Sequence, residues 1–354
     1  MIEREPAELM AGIEQDLAAY RECGLLEHRG DRLTSEWALQ VKEQPGRFIR
    51  PDGTIDTERL RNFRKLLIFL KDVPSFSLQW WNRWTLLGGG RRGSVKMLRE
   101  NLALLKTHGY DALLKKHPCS MVGHPYVFRT DGYQFTYRWF RHIYFLGLLQ
   151  RVLGSRLSGE LTPPHGAGFT ELSIGGGYGV FSYVLKREYP AARSILVDFP
   201  EQLLLARYFL GRSFPQARIA GMAQIAQLPS ISREFIQAHD FVLVPCQYYP
   251  RLEGGSVDLV TNFISFGEMT PEWFRFYVEA PPFTSAKWFF TVNRVQSRPV
   301  YDSDLTILDY PIWDAAKRLH FGLCPALSSY FTQRGVFLME RTAHAPFFEY
   351  LGEK

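Results

Sequence analysis

The sequence predicts an α/β protein: a Rossmann-like, mostly parallel sheet with helices on both faces over residues 156–354, preceded by a mainly helical domain over residues 1–155. Three observations predict it. Short β-rich apolar runs alternate with helical segments beyond residue 168, a glycine cluster directly follows the first of those runs, and a stretch rich in proline and glycine (154–168) divides this half from one with helical apolar spacing.

In the first half, residues 59–70 and 94–106 place apolar residues three and four apart with charges between them, which predicts two helices. Asp56 and Thr57 are the candidate caps of the first. The stretch 88–94, which contains Arg91 and Arg92, reads as a loop opening the second. Glycines beside arginines at a helix start can cradle a phosphate. The stretch lacks the Lys-Ser/Thr ending of a phosphate-binding loop, so a connector is the expected role. Residues 134–152 are apolar nearly all round, as a helix buried between two layers would be. This segment carries Arg138, Arg141 and His142. In the second half the expected strands are 169–174, 194–197, 241–244, 257–263, 288–292 and 336–339.

Composition bounds the function. At 46% hydrophobic and 22% charged residues over 354 positions, the chain has the balance of a folded globular protein of two ordinary domains. The N-terminus has no apolar core of a signal peptide, and the longest apolar runs, such as 143–149, fall far short of the ~20 residues a membrane helix needs. No membrane span is expected. Cys23, Cys119, Cys246 and Cys324 lie far apart with no CxxC pair, which argues against a zinc site or disulfide framework and points to a reducing, cytoplasmic setting. Residues 41–160 hold 21 Lys and Arg against 9 Asp and Glu, an excess of +12 within a chain of net charge +6. Such a face suits a phosphate-bearing partner or is simply solvated.

The chemistry concentrates around residue 175. A strand runs into Gly175-Gly176-Gly177-Tyr178-Gly179 and then into an apparent helix. Glycines here let a ligand approach the backbone, and the helix start offers unpaired N–H groups. The dinucleotide pattern G-x-G-x-x-G fails from Gly175 because Val180 stands at its last glycine, and from Gly176 because of Tyr178 and Phe181. A nicotinamide oxidoreductase is thereby disfavoured. Nineteen residues beyond Gly179, the second strand ends in Asp198, placed to accept both ribose hydroxyls of a nucleotide-type ligand.

Residues 173–179, followed by Asp198-Phe199-Pro200-Glu201-Gln202 and by Ser265-Phe266-Gly267-Glu268-Met269, resemble the sugar O-methyltransferase family, whose members carry E-I-G-G-G-Y-G, D-L-P-E-Q and S-F-x-E-M segments. The resemblance covers about residues 125–295. The wider relatives are class I S-adenosylmethionine-dependent methyltransferases with a helical N-terminal domain. It implies S-adenosylmethionine as donor and a hydroxyl of a sugar or glycosylated small molecule as acceptor. The expected donor-binding set is Ser173, Gly175, Gly177, Tyr178, Gly179, Asp198, Phe199, Cys246, Gln247 and Asn262, with the 218–222 segment competing with Cys246 and Gln247 for the adenine. One departure stands out. The family's acid before the glycines, which is placed near the donor's amino group, is Ser173 here, and Glu171 lies too far back to replace it.

An alcohol acceptor must lose a proton. Glu268 is the first candidate base, on the expectation that burial beside Phe266 and Met269 raises its pKa; pairing with an arginine is the alternative. His142 is the second candidate, and His124, His165 and His320 are weaker ones. No Asp/His cluster suggests a metal. Residues 262–265 lack the Asn/Asp-Pro-Pro-aromatic string of enzymes that methylate nitrogen in bases, so nucleic acid is not an expected partner. The rival from another class is a non-catalytic, methyltransferase-like binding protein. Self-association through the helical half is left open.

Overall fold

A computed structural model describes residues 6–26, 48–50, 52–66, 90–161, 169–298, 301–313, 315–327 and 346–354. The first half contributes helices α1 (Ala7–Glu22), α2 (Thr57–Arg61), α3 (Phe63–Leu66), α4 (Gly90–Thr107) and α5 (Asp111–Lys116), the hairpin β1 (Phe128–Thr130) and β2 (Tyr133–Phe135), and the long helix α6 (Tyr137–Leu161). The second half alternates: β3 (Thr170–Ile174), α7 (Val180–Glu188), β4 (Arg193–Asp198), α8 (Pro200–Ser213), β5 (Ile219–Ala220), α9 (Met222–Ile225), α10 (Arg233–Gln237), β6 (Phe241–Pro245), β7 (Leu259–Phe263), α11 (Pro271–Val278), α12 (Pro281–Thr284), β8 (Trp288–Arg294), β9 (Lys317–Leu323) and β10 (Phe347–Glu353).

Eight of these strands form one sheet in the order β5-β6-β4-β3-β7-β8-β10-β9. The strands from β5 to β8 pair in parallel, whereas β10 is antiparallel to both its neighbours. Strands β3, β6 and β8 are buried along their whole length, as expected where helices cover both faces of a parallel sheet. The chain runs outward from β3 through β4 to the edge strand β5, steps back to β6, then crosses to β7 on the other side of β3. The strand order therefore reverses between β3 and β7, the switch point at which open α/β sheets bind ligands. The antiparallel strand between β8 and β9 departs from the six-stranded order of dinucleotide-binding sheets.

The expected strands recur within a residue or two, apart from 336–339, which lies outside the described residues. The first half holds corrections. The helix expected over 59–70 is broken at Asn62 into α2 and α3, with Asp56 capping α2 by accepting from the Arg59 N–H at 3.0 Å. The loop expected over 88–94 is helical from Gly90 onward, so α4 begins four residues early. Residues 133–135 are strand rather than helix, because Tyr133 and Phe135 alternate inward in the hairpin. Helix α6 starts at Tyr137, where Thr136 Oγ1 accepts from the Trp139 N–H at 3.1 Å. It also runs through residue 155, across the expected domain boundary.

Helix α6 covers the sheet face beside α7, burying Trp139, Phe140, Ile143, Phe145 and Leu149. Helix α1 packs on α8 and α9. There the buried Asp16 pairs with Arg207 at 2.5 Å and accepts the Ala223 N–H at 2.9 Å.

Candidate functional site

The site lies at the carboxyl edge of β3, β4, β6 and β7. The Gly175 N–H donates to the Val197 carbonyl at 2.8 Å, and a Cβ added to Gly175 would come within 1.9 Å of Ser265 Oγ. The turn after β3 and the turn after β7 therefore touch, and only a residue without a side chain allows it. Gly177 is in the left-handed region at φ +59°, yet a Cβ there would meet nothing nearer than Arg138 Nη1 at 3.6 Å. The space over this residue is open, as a backbone that receives a ligand requires. Gly179 caps α7.

Asp198 closes the turn. Its Oδ2 accepts the Gly177 N–H at 2.8 Å and its Oδ1 accepts the Phe199 N–H at 2.7 Å. Each oxygen keeps a lone pair for a ligand hydroxyl. Burial pushes its carboxyl up to about 6, against the pull of the two N–H groups. A ligand hydroxyl donates best to the ionised form, so donor affinity should weaken progressively below pH about 6. Asp198→Asn offers one acceptor where two N–H groups each need one, and should cost about 1.5–3 kcal/mol of donor affinity with the pH dependence flattened. An unchanged dissociation constant by calorimetry would reduce Asp198 to a turn cap.

Behind the turn, buried side chains fix the strand ends. Asn262 Nδ2 donates to the Ile174 carbonyl at 2.9 Å, while its Oδ1 accepts from the Phe266 N–H at 3.0 Å and from Asn293 Nδ2 at 2.8 Å. Asn262 thus ties β3 to the segment after β7, a positioning role where donor contact was expected. The next residue but one, Ile264, is held at φ +70°. A β-branched residue in that region is a strained exception, found where the surroundings overdetermine the backbone. Ser173 is buried under Gly176. Glu171 accepts hydroxyl hydrogen bonds from Ser182, Ser194 and Thr261 at 2.7–2.9 Å inside the sheet, and burial holds its carboxyl above the usual range. It sits too deep to take over from the missing acid.

Where the sequence leads one to expect the adenine, β6 lies directly beside β4, with Pro245 opposite Asp198. Cys246, buried, and Gln247, half-buried, follow at once, and the Cys246 thiol donates to Gln247 Oε1 at 3.2 Å. The competing 218–222 segment lies one strand further out and is backed by Asp16 and Arg207. Tyr277, absent from the expected set, hydrogen bonds with Cys246; burial and the neighbouring Cys246 and Asp198 hold its phenol far above the usual range. A tyrosine some 80 residues downstream on α11 carries no local motif that would have marked it.

Two expected residues have other duties. The Tyr178 side chain turns into the core, with Phe63 and Phe209 each 5.1 Å away and the guanidiniums of Arg64 and Arg138 at 5.6 and 5.3 Å. Only its backbone belongs to the turn. The Glu268 carboxylate accepts from Arg294 Nη1 and from the Tyr301 hydroxyl, both at 3.1 Å. The arginine pairing named as its alternative is what the structure shows.

His142 is held on its own helix: its Nδ1 lies 2.7 Å from the Arg138 carbonyl, which can only accept, so Nδ1 donates there. The ring contacts Phe181, in the first turn of α7, and Phe263, at the end of β7, with centroids 6.4 and 6.3 Å away. It therefore stands between the two turns that meet at Gly175. His320 pairs with Glu349 on β9 and β10, His124 bonds Asn62 at the surface, and His165 lies outside the described residues.

No family model matches the chain. No curated protein matches it either. Among solved structures, the chain is similar to geranyl diphosphate C-methyltransferase from Streptomyces coelicolor, determined with S-adenosyl-L-homocysteine, at 12% identity and TM-score 0.34 over 60% of this chain and 79% of that one. A geranyl diphosphate methyltransferase in complex with S-adenosylmethionine gives 14%, 0.36, 61% and 89%, and the YcgJ protein from Bacillus subtilis gives 12%, 0.34, 58% and 98%. Among the described residues, no helix is long and apolar enough to cross a membrane, and no group of three or more His, Cys, Asp or Glu converges on a metal position.

Proposed function

We propose that the chain is an S-adenosylmethionine-dependent methyltransferase acting on a hydroxyl of a sugar or glycosylated small molecule. The observation that carries the donor assignment is the link between the Gly177 N–H and Asp198 Oδ2, which sets an open glycine turn and a ribose-binding carboxylate side by side at the switch point. These residues fit the donor: Asp198 would accept the ribose hydroxyls, the turn would pass beneath the nucleoside, and Cys246 and Gln247 would flank the base. Bound there, the donor supplies an electrophilic methyl group on a sulfonium.

The chain's own part is alignment and proton removal. The turns after β3 and β7 hold the reacting groups in line, and well-oriented groups reach effective molarities of about 10⁵–10⁸ M. His142, anchored through Nδ1 to the Arg138 carbonyl, would be the group that takes the acceptor's proton. The sugar hydroxyl as acceptor rests on the motif resemblance. Calorimetry with S-adenosylhomocysteine and with NAD tests the donor: binding of the first and not the second is expected. Clear NAD binding without S-adenosylhomocysteine binding would falsify the reading.

A further inference from the structure

We infer that Arg141 anchors an anion-binding subsite next to His142, and that the acceptor carries a carboxylate or phosphate group which Arg141 grips. The inference rests on the reading of α6 as the acceptor side of the site.

Arg141 is only 3% exposed, and its Nε and Nη1 have no hydrogen-bond partner. Among the described residues no carboxylate pairs with it, and its guanidinium packs over the Tyr137 ring at 4.9 Å. Single guanidinium nitrogens of Arg138 and Arg193 are also buried without a hydrogen bond, but three other inward-facing arginines find oxygen partners. Arg64 donates to the carbonyls of Ser120 and Val122, Arg207 pairs with Asp16, and Arg294 pairs with Glu268. A buried cation with unused donors is unfavourable unless an anion completes it. The planar fork of guanidinium matches a carboxylate or phosphate through two parallel hydrogen bonds.

Helical periodicity places the subsite. Residues 137, 141 and 144 share one stripe of α6, and 138, 142 and 145 the adjacent one. On the first stripe the Tyr137 hydroxyl reaches the Ala326 carbonyl at 3.4 Å and the Tyr144 hydroxyl reaches Glu349 Oε1 at 3.2 Å. Arg141 therefore lies on the stripe of α6 that meets the 324–327 segment and β10, beside the stripe that carries His142. The acid on this flank, Glu349, accepts at Oε1 from Tyr144 and from His320, while its buried Oε2 has no hydrogen-bond partner. An acceptor held through its acidic group at Arg141 would have a neighbouring hydroxyl one helical step from the base.

The test uses the full chain, with and without S-adenosylhomocysteine, titrated with glucuronate, glucose 1-phosphate, inorganic phosphate and the neutral methyl glucoside. Calorimetry and thermal melting give the readouts. The wild type should bind at least one anionic probe and ignore the glucoside; glucuronate against the two phosphates tells which anion is preferred. Arg141→Met should weaken that binding about ten- to hundred-fold, Arg141→Lys should fall between, and donor affinity should not change. Because no hydrogen bond or ion pair is lost and a buried charge is removed against one ring contact, Arg141→Met without ligand should melt no lower than wild type. A lower melting temperature with unchanged anion binding, or no anionic probe bound by the wild type, overturns the inference. Anion binding through Arg141 in a protein that fails to bind S-adenosylhomocysteine would instead overturn the proposed function and leave the subsite standing.

Discussion

His142→Phe is expected to slow methyl transfer by about 10²–10⁴-fold in single turnover, with donor affinity unchanged. Phenylalanine keeps the ring volume among Phe145, Phe181 and Phe263, and removes both the proton acceptor at Nε2 and the donor to the Arg138 carbonyl. Losing that hydrogen bond should cost only about 1 kcal/mol of stability, so a melting curve separates misfolding from lost chemistry. Glu268→Gln is the companion. It unpairs Arg294 and loosens Tyr301, so the expectation is lower stability with little change in the transfer rate of the folded fraction. A wild-type rate for His142→Phe, with a large loss for Glu268→Gln, would return the role of base to Glu268.

That pair of residues shows what the sequence could and could not reveal. The switch from helical to strand-and-helix spacing near residue 168, the glycine turn and Asp198 were all legible, because backbone geometry and local spacing set them. Which of its two readings fits Glu268 was not legible, because its environment depends on Arg294 and Tyr301, residues 26 and 33 positions away. Tyr178 looked like part of the ligand turn by position, yet two arginines from other elements hold its ring in the core. Asn262 was chosen for its place after a strand, where its amide proves to be engaged with three neighbours. The hairpin β1–β2 escaped notice because its strands are three residues long and adjoin an apolar helix. Arg141 was visible as a charge in an apolar helix, but only the structure shows that no carboxylate meets it among the described residues.

Gly177→Val should abolish donor binding, weakening it by about two orders of magnitude or more. Valine at φ +59° is among the least tolerated substitutions, because the left-handed region costs roughly 1–2 kcal/mol per residue and a branched Cβ adds to it. The turn would shift to relieve this, and with it the N–H that Asp198 holds at 2.8 Å. The added side chain would also occupy the open space over the turn. Global stability should fall only modestly, since no core atom lies near the new Cβ. Gly175→Ala is the contrasting variant. Its methyl would collide with Ser265, so it should lower the melting temperature as well as donor affinity. If Gly177→Val binds S-adenosylhomocysteine as the wild type does, the ligand lies elsewhere on the sheet edge.

The antiparallel strand in the sheet has a consequence for how the chain assembles. Strand β10 follows β9 in sequence but lies inside it, between β8 and β9. During synthesis β9 therefore emerges before the strand that holds it, and β8 presents an unsatisfied edge until residues 347–353 arrive. Exposed strand edges are where folding intermediates stick to one another. The half of the sheet that carries Asp198 and the glycine turn can pair early, from β3, β4 and β6. The flank beyond β8 can be completed only when β10 slots in.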